Sequence, residues 1–215
     1  MLSLIPISDR NPTRRFPFVT LALIAINLFV FLFVEPGFGQ SREADVYFVE
    51  NAPIPCQLEE ECPRGLLFPT GDRVLIPERG IQSFLGAILF STFLHAGFLH
   101  IAGNMLFLWV FGNNIEDHLG RIRYLIFYLL GGIAAAFAHI LTNLGSVAPA
   151  VGASGAVAAV MGAYILLFPR ARVRVLVPIF ILWTILELSA LTVLGLWFVY
   201  QFVIGFYSAS EATTN

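Results

Sequence analysis

A serine flanked by glycines is the first feature of this sequence that could carry out chemistry. Ser154 lies in the sequence Gly-Ala-Ser-Gly at 152–155, and the apolar run that it begins ends at Phe168. An isolated serine in a membrane helix usually bonds to a carbonyl of its own helix. Here small residues recur every four positions, at Ala158 and Gly162, so one face lets another helix approach closely. The pattern predicts a buried helix with a serine hydroxyl in its first turn.

Two more polar residues share a helical face in an earlier apolar stretch. His100 and Asn104 are four positions apart, so their side chains lie about one turn from each other. Polar side chains near the end of a membrane helix are costly unless they meet partners or water, which leaves a functional and a structural role equally open. His95 is five positions before His100 and therefore points elsewhere.

The composition indicates that these residues belong to a membrane protein. The chain has 215 residues, of which 58% are hydrophobic and 12% are charged, and its mean hydropathy is +0.81. The net charge of -2 gives no case for nucleic-acid binding. We therefore predict an all-α polytopic membrane protein, with the lipid bilayer as its surroundings.

Apolar runs and arginines divide the chain into three parts. We predict a cytoplasmic lead at 1–17, a membrane domain at 18–207 with an outer loop at 35–80, and a polar tail at 208–215. Five spans are expected, with a partly embedded helix at 81–94 and an interfacial segment at 175–186, which Pro178 interrupts. The spans are 18–34, 95–114, 124–141, 151–168 and 188–207. Between the second and third spans, Glu116, Asp117, Arg121 and Arg123 are expected to form a short inner loop.

The arginines also give an orientation. They flank the first span and follow the fourth, which predicts an N-terminus on the inner side. We expect an integral protein of a bacterial plasma (inner) membrane, with the N-terminus in the cytoplasm and the site towards the outer face. In the outer loop Cys56 and Cys62 could close a small disulfide ring, whereas two cysteines with no histidine nearby make a poor zinc site.

This orientation brings the polar residues to one depth. The second and fourth spans both run inward from the outer face, so His100, Asn104 and Ser154 share the outer third of the membrane. An oxyanion formed by attack on a peptide carbonyl would meet unpaired N–H groups in the first turn of the Ser154 helix. Asn104 and His100 could donate further hydrogen bonds. Gly152 and Gly155 allow a tight turn and close approach of a substrate backbone, an arrangement that suits acyl transfer.

Taken together, the Gly-Ala-Ser-Gly motif at 152–155 and the spacing His95-x4-His100-x3-Asn104 resemble the rhomboid family of intramembrane serine proteases. The similarity runs from the first span to about residue 207. It implies a helical bundle that cleaves transmembrane segments of single-span proteins without a metal or cofactor. It also implies that Ser154 is the nucleophile, that His100 and Asn104 stabilise the oxyanion, and that His95 has a structural role.

The general base of the family pattern has no counterpart among these residues. The family's general base is a histidine on a sixth core helix, and no histidine follows Ser154. We therefore expect five transmembrane helices with the sixth absent, and a truncated chain that is nearly inactive because an unassisted serine hydroxyl is a weak nucleophile. The expected missing helix would also have covered the small-residue face of the fourth span. His118 is predicted on the inner side, and His139 as a substitute base is only a hypothesis.

Alternatives to proteolysis are left open by the sequence. A naturally inactive rhomboid-like protein that binds client transmembrane helices would use the same groove without cleaving them. A transporter with a histidine relay is less favoured, because the spans show no inverted pairing and no ionisable residue lies clearly at mid-membrane. The substrates and the oligomeric state are not indicated.

Overall fold

The protein is mostly helical, as predicted, in a computed structural model that describes residues 4–59, 62–67, 73–179 and 182–212. Two short 3-10 helices, at Pro36–Gly39 and Pro55–Leu58, lie in the outer loop. The α-helices are α1 (Phe18–Phe33), α2 (Arg42–Asn51), α3 (Ile81–Ser91), α4 (Phe98–Leu119), α5 (Arg121–Thr142), α6 (Ser154–Leu167) and α7 (Ala190–Ala212). The strands are β1 (Ile5–Asp9), β2 (Gly65–Leu67), β3 (Arg73–Leu75), β4 (Arg172–Ile179) and β5 (Leu182–Ser189).

Helix length decides which elements could cross a bilayer alone. Within the described residues, α5 is long and apolar enough to do so, and only 17% of its most apolar 18-residue window is buried inside the protein. Shorter apolar helices are Phe18–Phe33, Ile81–Ser91, Ser154–Leu167 and Ala190–Val203. The number of spans stays a prediction. The tail expected from residue 208 is helical to Ala212, and 213–215 lie outside the described residues.

The inner loop predicted around Glu116 and Asp117 is wrong. Helix α4 continues to Leu119, so both carboxylates lie in its last two turns, and only Gly120, at φ +78°, separates α4 from α5. The Glu116 carboxylate accepts hydrogen bonds from backbone N–H groups in the first turn of α1, at 2.8 and 3.0 Å. It therefore caps that helix and satisfies donors that have no partner within the helix.

The interfacial segment predicted at 175–186 instead belongs to a sheet, with 175–179 in β4 and 182–186 in β5, which pair antiparallel, while 180–181 lie outside the described residues. Strand β1 pairs with β4 on its other side. Val173, Val175 and Val177 are buried, whereas Arg172 and Arg174, which precede the first two of these valines, are exposed. This alternation has the period of two that is typical of a strand with one covered face. Proline interrupts a helix but is tolerated near the end of a strand, so Pro178 was weak evidence for an interfacial segment.

The outer loop is more ordered than its composition indicates. Helix α2 begins after Ser41, whose hydroxyl accepts a hydrogen bond from the Ala44 N–H at 3.1 Å. Cys56 and Cys62 form a disulfide, the pairing that their spacing left as a hypothesis. A small hydrophobic cluster of buried residues includes Cys56 and Val49, which places the disulfide against the packed part of the loop.

The chain forms two compact units. The first contains residues 1–20, 106–124 and 160–215, and it includes the three-stranded sheet. The second contains 21–105 and 125–159, and it includes the outer loop, α5 from residue 125 onward and the start of α6. All residues predicted to act in the site belong to the second unit.

In the second unit, α5 covers the beginning of the small-residue face of α6. A Cβ added to Gly155 would lie 2.5 Å from the Ala135 Cβ, and one added to Gly131 would lie 2.5 Å from the Ala159 Cβ. These distances are too short for a real contact, so the helix backbones approach as closely as glycine allows. Helix α5 therefore covers the row of small residues that contains Gly155 and Ala159, whereas the cover expected over Ser154, Ala158 and Gly162 stays a prediction.

Replacing Gly131 by alanine should destabilise the protein by about 1 to 3 kcal/mol, because the new methyl group overlaps the Ala159 methyl group and forces the helices apart. Thermal unfolding in detergent measures the change. Gly162→Ala in α6 is the matched control, since a Cβ there would meet nothing within 4 Å. Equal unfolding midpoints for the two variants would contradict the close approach of α5 and α6.

Candidate active site

Helix α4 positions the polar pair at its N-terminal end. Gly97, at φ +139°, turns the chain into the helix, and its carbonyl accepts hydrogen bonds from the N–H groups of His100 and Ile101 at 3.1 Å. His100 is half-buried in the first turn and Asn104 is buried one turn later. The helical spacing inferred from the sequence therefore holds for these two residues.

A turn at Gly152 positions the serine. Ser154 is the first residue of α6 and is exposed. Gly152 has φ +125°, a conformation that residues with a side chain rarely adopt, and its N–H donates to the Ser91 carbonyl at 2.9 Å. This hydrogen bond links the turn to the end of α3 and so fixes the position of the backbone that carries the serine.

The imidazole of His100 and the hydroxyl of Ser154 both lie close to Gly152. A Cβ added to Gly152 would lie 2.8 Å from Cε1 and 2.9 Å from Nε2 of His100, and 3.6 Å from Oγ of Ser154. The ring therefore lies directly against the turn that carries the serine. Within the described residues, the Ser154 hydroxyl makes no hydrogen bond, so its oxygen is accessible to a reacting carbonyl.

Asn104 supplies a donor that no described residue uses. Its side-chain nitrogen Nδ2 is buried and has no hydrogen-bond partner in the described part of the chain. A buried donor without a partner carries a free-energy cost of about 1 to 3 kcal/mol, which an acceptor entering the site would relieve. An oxyanion is such an acceptor, and donors of this kind stabilise charge that develops in a transition state.

His95 supports the site from behind His100. It is fully buried, and its ring centroid lies 5.2 Å from that of His100 with the rings 68° apart. Its Nδ1 lies 3.3 Å from the Phe93 carbonyl. This edge-to-face contact restricts where the His100 ring can lie, and the structural role that the resemblance implied for His95 stays a prediction.

Glu35 is a residue of this site that the sequence analysis missed. It follows the end of α1, and its Oε1 accepts a hydrogen bond from the His95 N–H at 2.9 Å. A Cβ added to Gly39 would collide with the His95 carbonyl, so the segment after α1 packs closely against the backbone at His95. An acidic residue at the start of an acidic loop gave no signal of this contact, because the partner is 60 positions away.

Glu35 makes folding stability depend on pH. Burial raises the pKa of this carboxyl from 4.5 to about 7, and the hydrogen bond from His95 opposes the rise without cancelling it. Between these two values the unfolded chain has lost the proton while the folded chain retains it. The contribution of Glu35 to the free energy of unfolding should therefore fall as the pH rises from about 5 to about 7 and stay constant above that.

Glu35→Gln is expected to remove this pH dependence, because the amide keeps an acceptor for the His95 N–H and does not titrate. Thermal unfolding at pH 5 and pH 8 measures this by comparing the two chains: from pH 5 to pH 8 the midpoint of the parent chain should fall relative to that of the variant. An equal change in both chains would assign the pH dependence to another group.

The two remaining histidines, His139 and His118, make no hydrogen bond to Ser154 among the described residues. His139 is exposed near the end of α5, and in the described part of the chain its ring makes no hydrogen bond to Ser154. The hypothesis that His139 replaces the general base is therefore not supported. His118 lies in the last turn of α4, in the unit that does not contain Ser154. Among the described residues, no group of three or more histidine, cysteine or acidic side chains could hold a metal ion.

Comparisons with known proteins show which family this chain is similar to. A family model for the rhomboid domain matches residues 84–214, more than half of the chain. Rhomboid protein 1, mitochondrial, of Saccharomyces cerevisiae is 36% identical over 95 residues, which are 42% of this chain and 28% of that protein. Presenilin-associated rhomboid-like protein A, mitochondrial, of Danio rerio is 35% identical over 43% of this chain and 25% of its own length. The match thus spans about a quarter of these relatives, and no solved structure matches.

The relatives contradict the predicted bacterial plasma membrane, because the matched proteins named above are mitochondrial. The human presenilin-associated rhomboid-like protein, 33% identical over 43% of this chain and 25% of its own length, is mitochondrial as well. The prediction was wrong because arginine-rich loops indicate which side of a membrane a loop occupies and carry no information on which membrane it is.

Proposed function

Because the chain belongs to the rhomboid family, we propose that it is an intramembrane serine endopeptidase in which Ser154 attacks the scissile peptide bond. The family supports a rhomboid-type role, and the residues that we propose for it are Ser154 and His100, both close to Gly152, and Asn104, one helical turn from His100. A hydroxyl at a helix start, an adjacent imidazole and an unpaired amide donor are the groups that acyl transfer to serine requires.

The proposed reaction begins with attack of the Ser154 oxygen on a substrate carbonyl. The carbonyl oxygen becomes negatively charged and accepts hydrogen bonds from Nδ2 of Asn104, from an N–H of His100 and from backbone N–H groups at the start of α6. Collapse of this intermediate breaks the peptide bond, releases the amine and leaves an ester on Ser154, which water then hydrolyses. A general base must take the serine proton and give it to the leaving nitrogen, and in the family pattern a histidine on a further helix does both.

The substrate must present its backbone in an extended form. A helical segment keeps its carbonyls hydrogen-bonded and shields them with side chains, so a transmembrane substrate must unwind locally before Ser154 can reach a peptide bond. The exposed position of Ser154 at the first residue of α6 allows that approach. Single-span membrane proteins are the substrate class that this requirement favours.

The observation that carries the proposal is the position of Gly152. Its missing side chain leaves room for the His100 ring within 2.9 Å and for the Ser154 oxygen within 3.6 Å of one point. A purely structural serine would not need an imidazole beside it on another helix, nor a buried amide donor one turn along from that imidazole.

A cleavage assay separates the proposal from the alternative of a non-catalytic client binder. The chain, extended by a helix that carries the family's base histidine, is reconstituted with a single-span reporter protein. The proposal predicts cleavage fragments, which Ser154→Ala abolishes. The client-binding alternative predicts capture of the reporter without fragments, unchanged in Ser154→Ala, and that result would refute the endopeptidase.

A further inference from the structure

A cavity in the first unit is not used by the proposed proteolysis. It has a volume of about 380 Å³, and its walls include Arg14, Arg15, His118 and Phe168. These residues stand at helix ends, because the arginines precede α1, His118 lies in the last turn of α4 and Phe168 follows α6. Ends of apolar helices lie where hydrocarbon gives way to headgroups, so the cavity is at the depth of a lipid headgroup.

The lining of this cavity contains two arginines and one carboxylate, and that carboxylate already has partners. Asp117, which also lines the cavity, accepts a hydrogen bond from the Arg14 backbone N–H at 2.9 Å and lies 4.0 Å from Nε of Arg15. Glu116 is occupied by the first turn of α1. The exposed Arg14 guanidinium makes no ion pair with any described residue. Arg15 therefore has a carboxylate partner, whereas the Arg14 guanidinium at the same cavity is available to an anion.

The surroundings match an anion attached to an apolar body. Guanidinium groups bind phosphate oxygens with two parallel N–H donors. Phe168 gives the cavity an apolar wall, and its ring lies perpendicular to that of His118 with the centroids 6.1 Å apart. Eight of the chain's 12 basic residues belong to this unit, which attracts negatively charged lipids to it.

We propose that this cavity binds the phosphate group of an anionic lipid headgroup, with Arg14 and Arg15 as its ligands. The phosphate lies between the two guanidinium groups, and the glycerol backbone contacts Phe168. The site holds a lipid beside the start of α1 and the end of α4.

The test measures lipid retention by native mass spectrometry of the whole chain in detergent, titrated with phosphatidylglycerol or phosphatidylcholine. One phosphatidylglycerol per chain is expected to bind about 10-fold more tightly than phosphatidylcholine, because each arginine near the headgroup adds attraction. The double variant Arg14→Gln, Arg15→Gln should lose this preference. Equal binding of the two lipids by the parent chain would overturn the proposal.

The control variant Arg123→Gln, Arg170→Gln removes the same charge from exposed arginines of the same unit that do not line the cavity. It should keep the preference, and an equal loss in both double variants would show diffuse attraction in place of a site. Inorganic phosphate at millimolar concentration separates a free anion from a lipid. Failure to displace phosphatidylglycerol supports the lipid assignment, whereas complete displacement overturns it. Unfolding midpoints confirm that both variants are folded.

Discussion

Replacing Ser154 with alanine should lower the rate of reporter cleavage by about 10³-fold or more, while the unfolding midpoint changes little. The nucleophile forms the covalent bond to the substrate, so no neighbouring group can substitute for it. Ser154 is exposed and its hydroxyl makes no hydrogen bond within the described residues, so its removal costs little folding free energy. Fragment formation from a single-span reporter, by the chain carrying the base-histidine helix, is the measurement.

Ser146→Ala provides the comparison for this loss. Ser146 lies in the segment between α5 and α6, and its hydroxyl accepts a hydrogen bond from the Ala148 N–H at 3.2 Å. This variant should retain cleavage, because the residue has no part in the proposed reaction. Cleavage by Ser154→Ala at the parent rate would show that another nucleophile acts or that the fragments come from a contaminating protease.

Gly152→Ala should lower cleavage by about 10²-fold, through its effect on His100. The new methyl group would lie within 3 Å of the imidazole, which must move away from the serine. Losing one donor to an oxyanion typically costs about 10² to 10³ in kcat. The backbone at φ +125° is also strained for alanine, which should cost about 1 to 3 kcal/mol of stability. Initial rates at saturating reporter, together with unfolding midpoints, measure both effects.

Gly145→Ala is the matched control for this prediction, because it lies in the same connecting segment and a Cβ there would meet nothing within 4 Å. It should leave both the rate and the midpoint near those of the parent chain. Gly152→Ala with full activity would mean that the His100 ring is not needed beside Ser154. In that case the oxyanion would depend on Asn104 and the backbone alone.

Much of the helical architecture could be predicted because long apolar runs leave few alternatives. The predicted span 18–34 corresponds to α1 at 18–33, and 124–141 lies within α5 at 121–142. The spacing of His100 and Asn104 was also enough to predict that they share a helical face, since residues four apart on a helix do so whatever surrounds them. These predictions depend on local periodicity, which a sequence displays directly.

Features that depend on distant partners were missed or misassigned. The strand period in 172–179 was visible as alternating arginine and valine, yet the first strand of the sheet, β1, comes from a lead that looked featureless. Glu116 was assigned to a loop because the partner of its carboxylate, the start of α1, is 96 positions away and leaves no signal in the neighbouring sequence. Glu35 was overlooked for the same reason. Side chains that cap or support remote backbone carry no local signature.

Labelling by a fluorophosphonate, with the modified residue located by peptide mass spectrometry, tests the central claim most directly. The reagent phosphonylates only a serine that is made nucleophilic by its surroundings, so it tests the proposed grouping of Ser154 with His100 and Asn104 without requiring a substrate. In the chain carrying the base-histidine helix we predict a label on Ser154, and none after Ser154→Ala. An unlabelled Ser154 in that chain, with the label absent or on a different residue, would contradict the proposed active site.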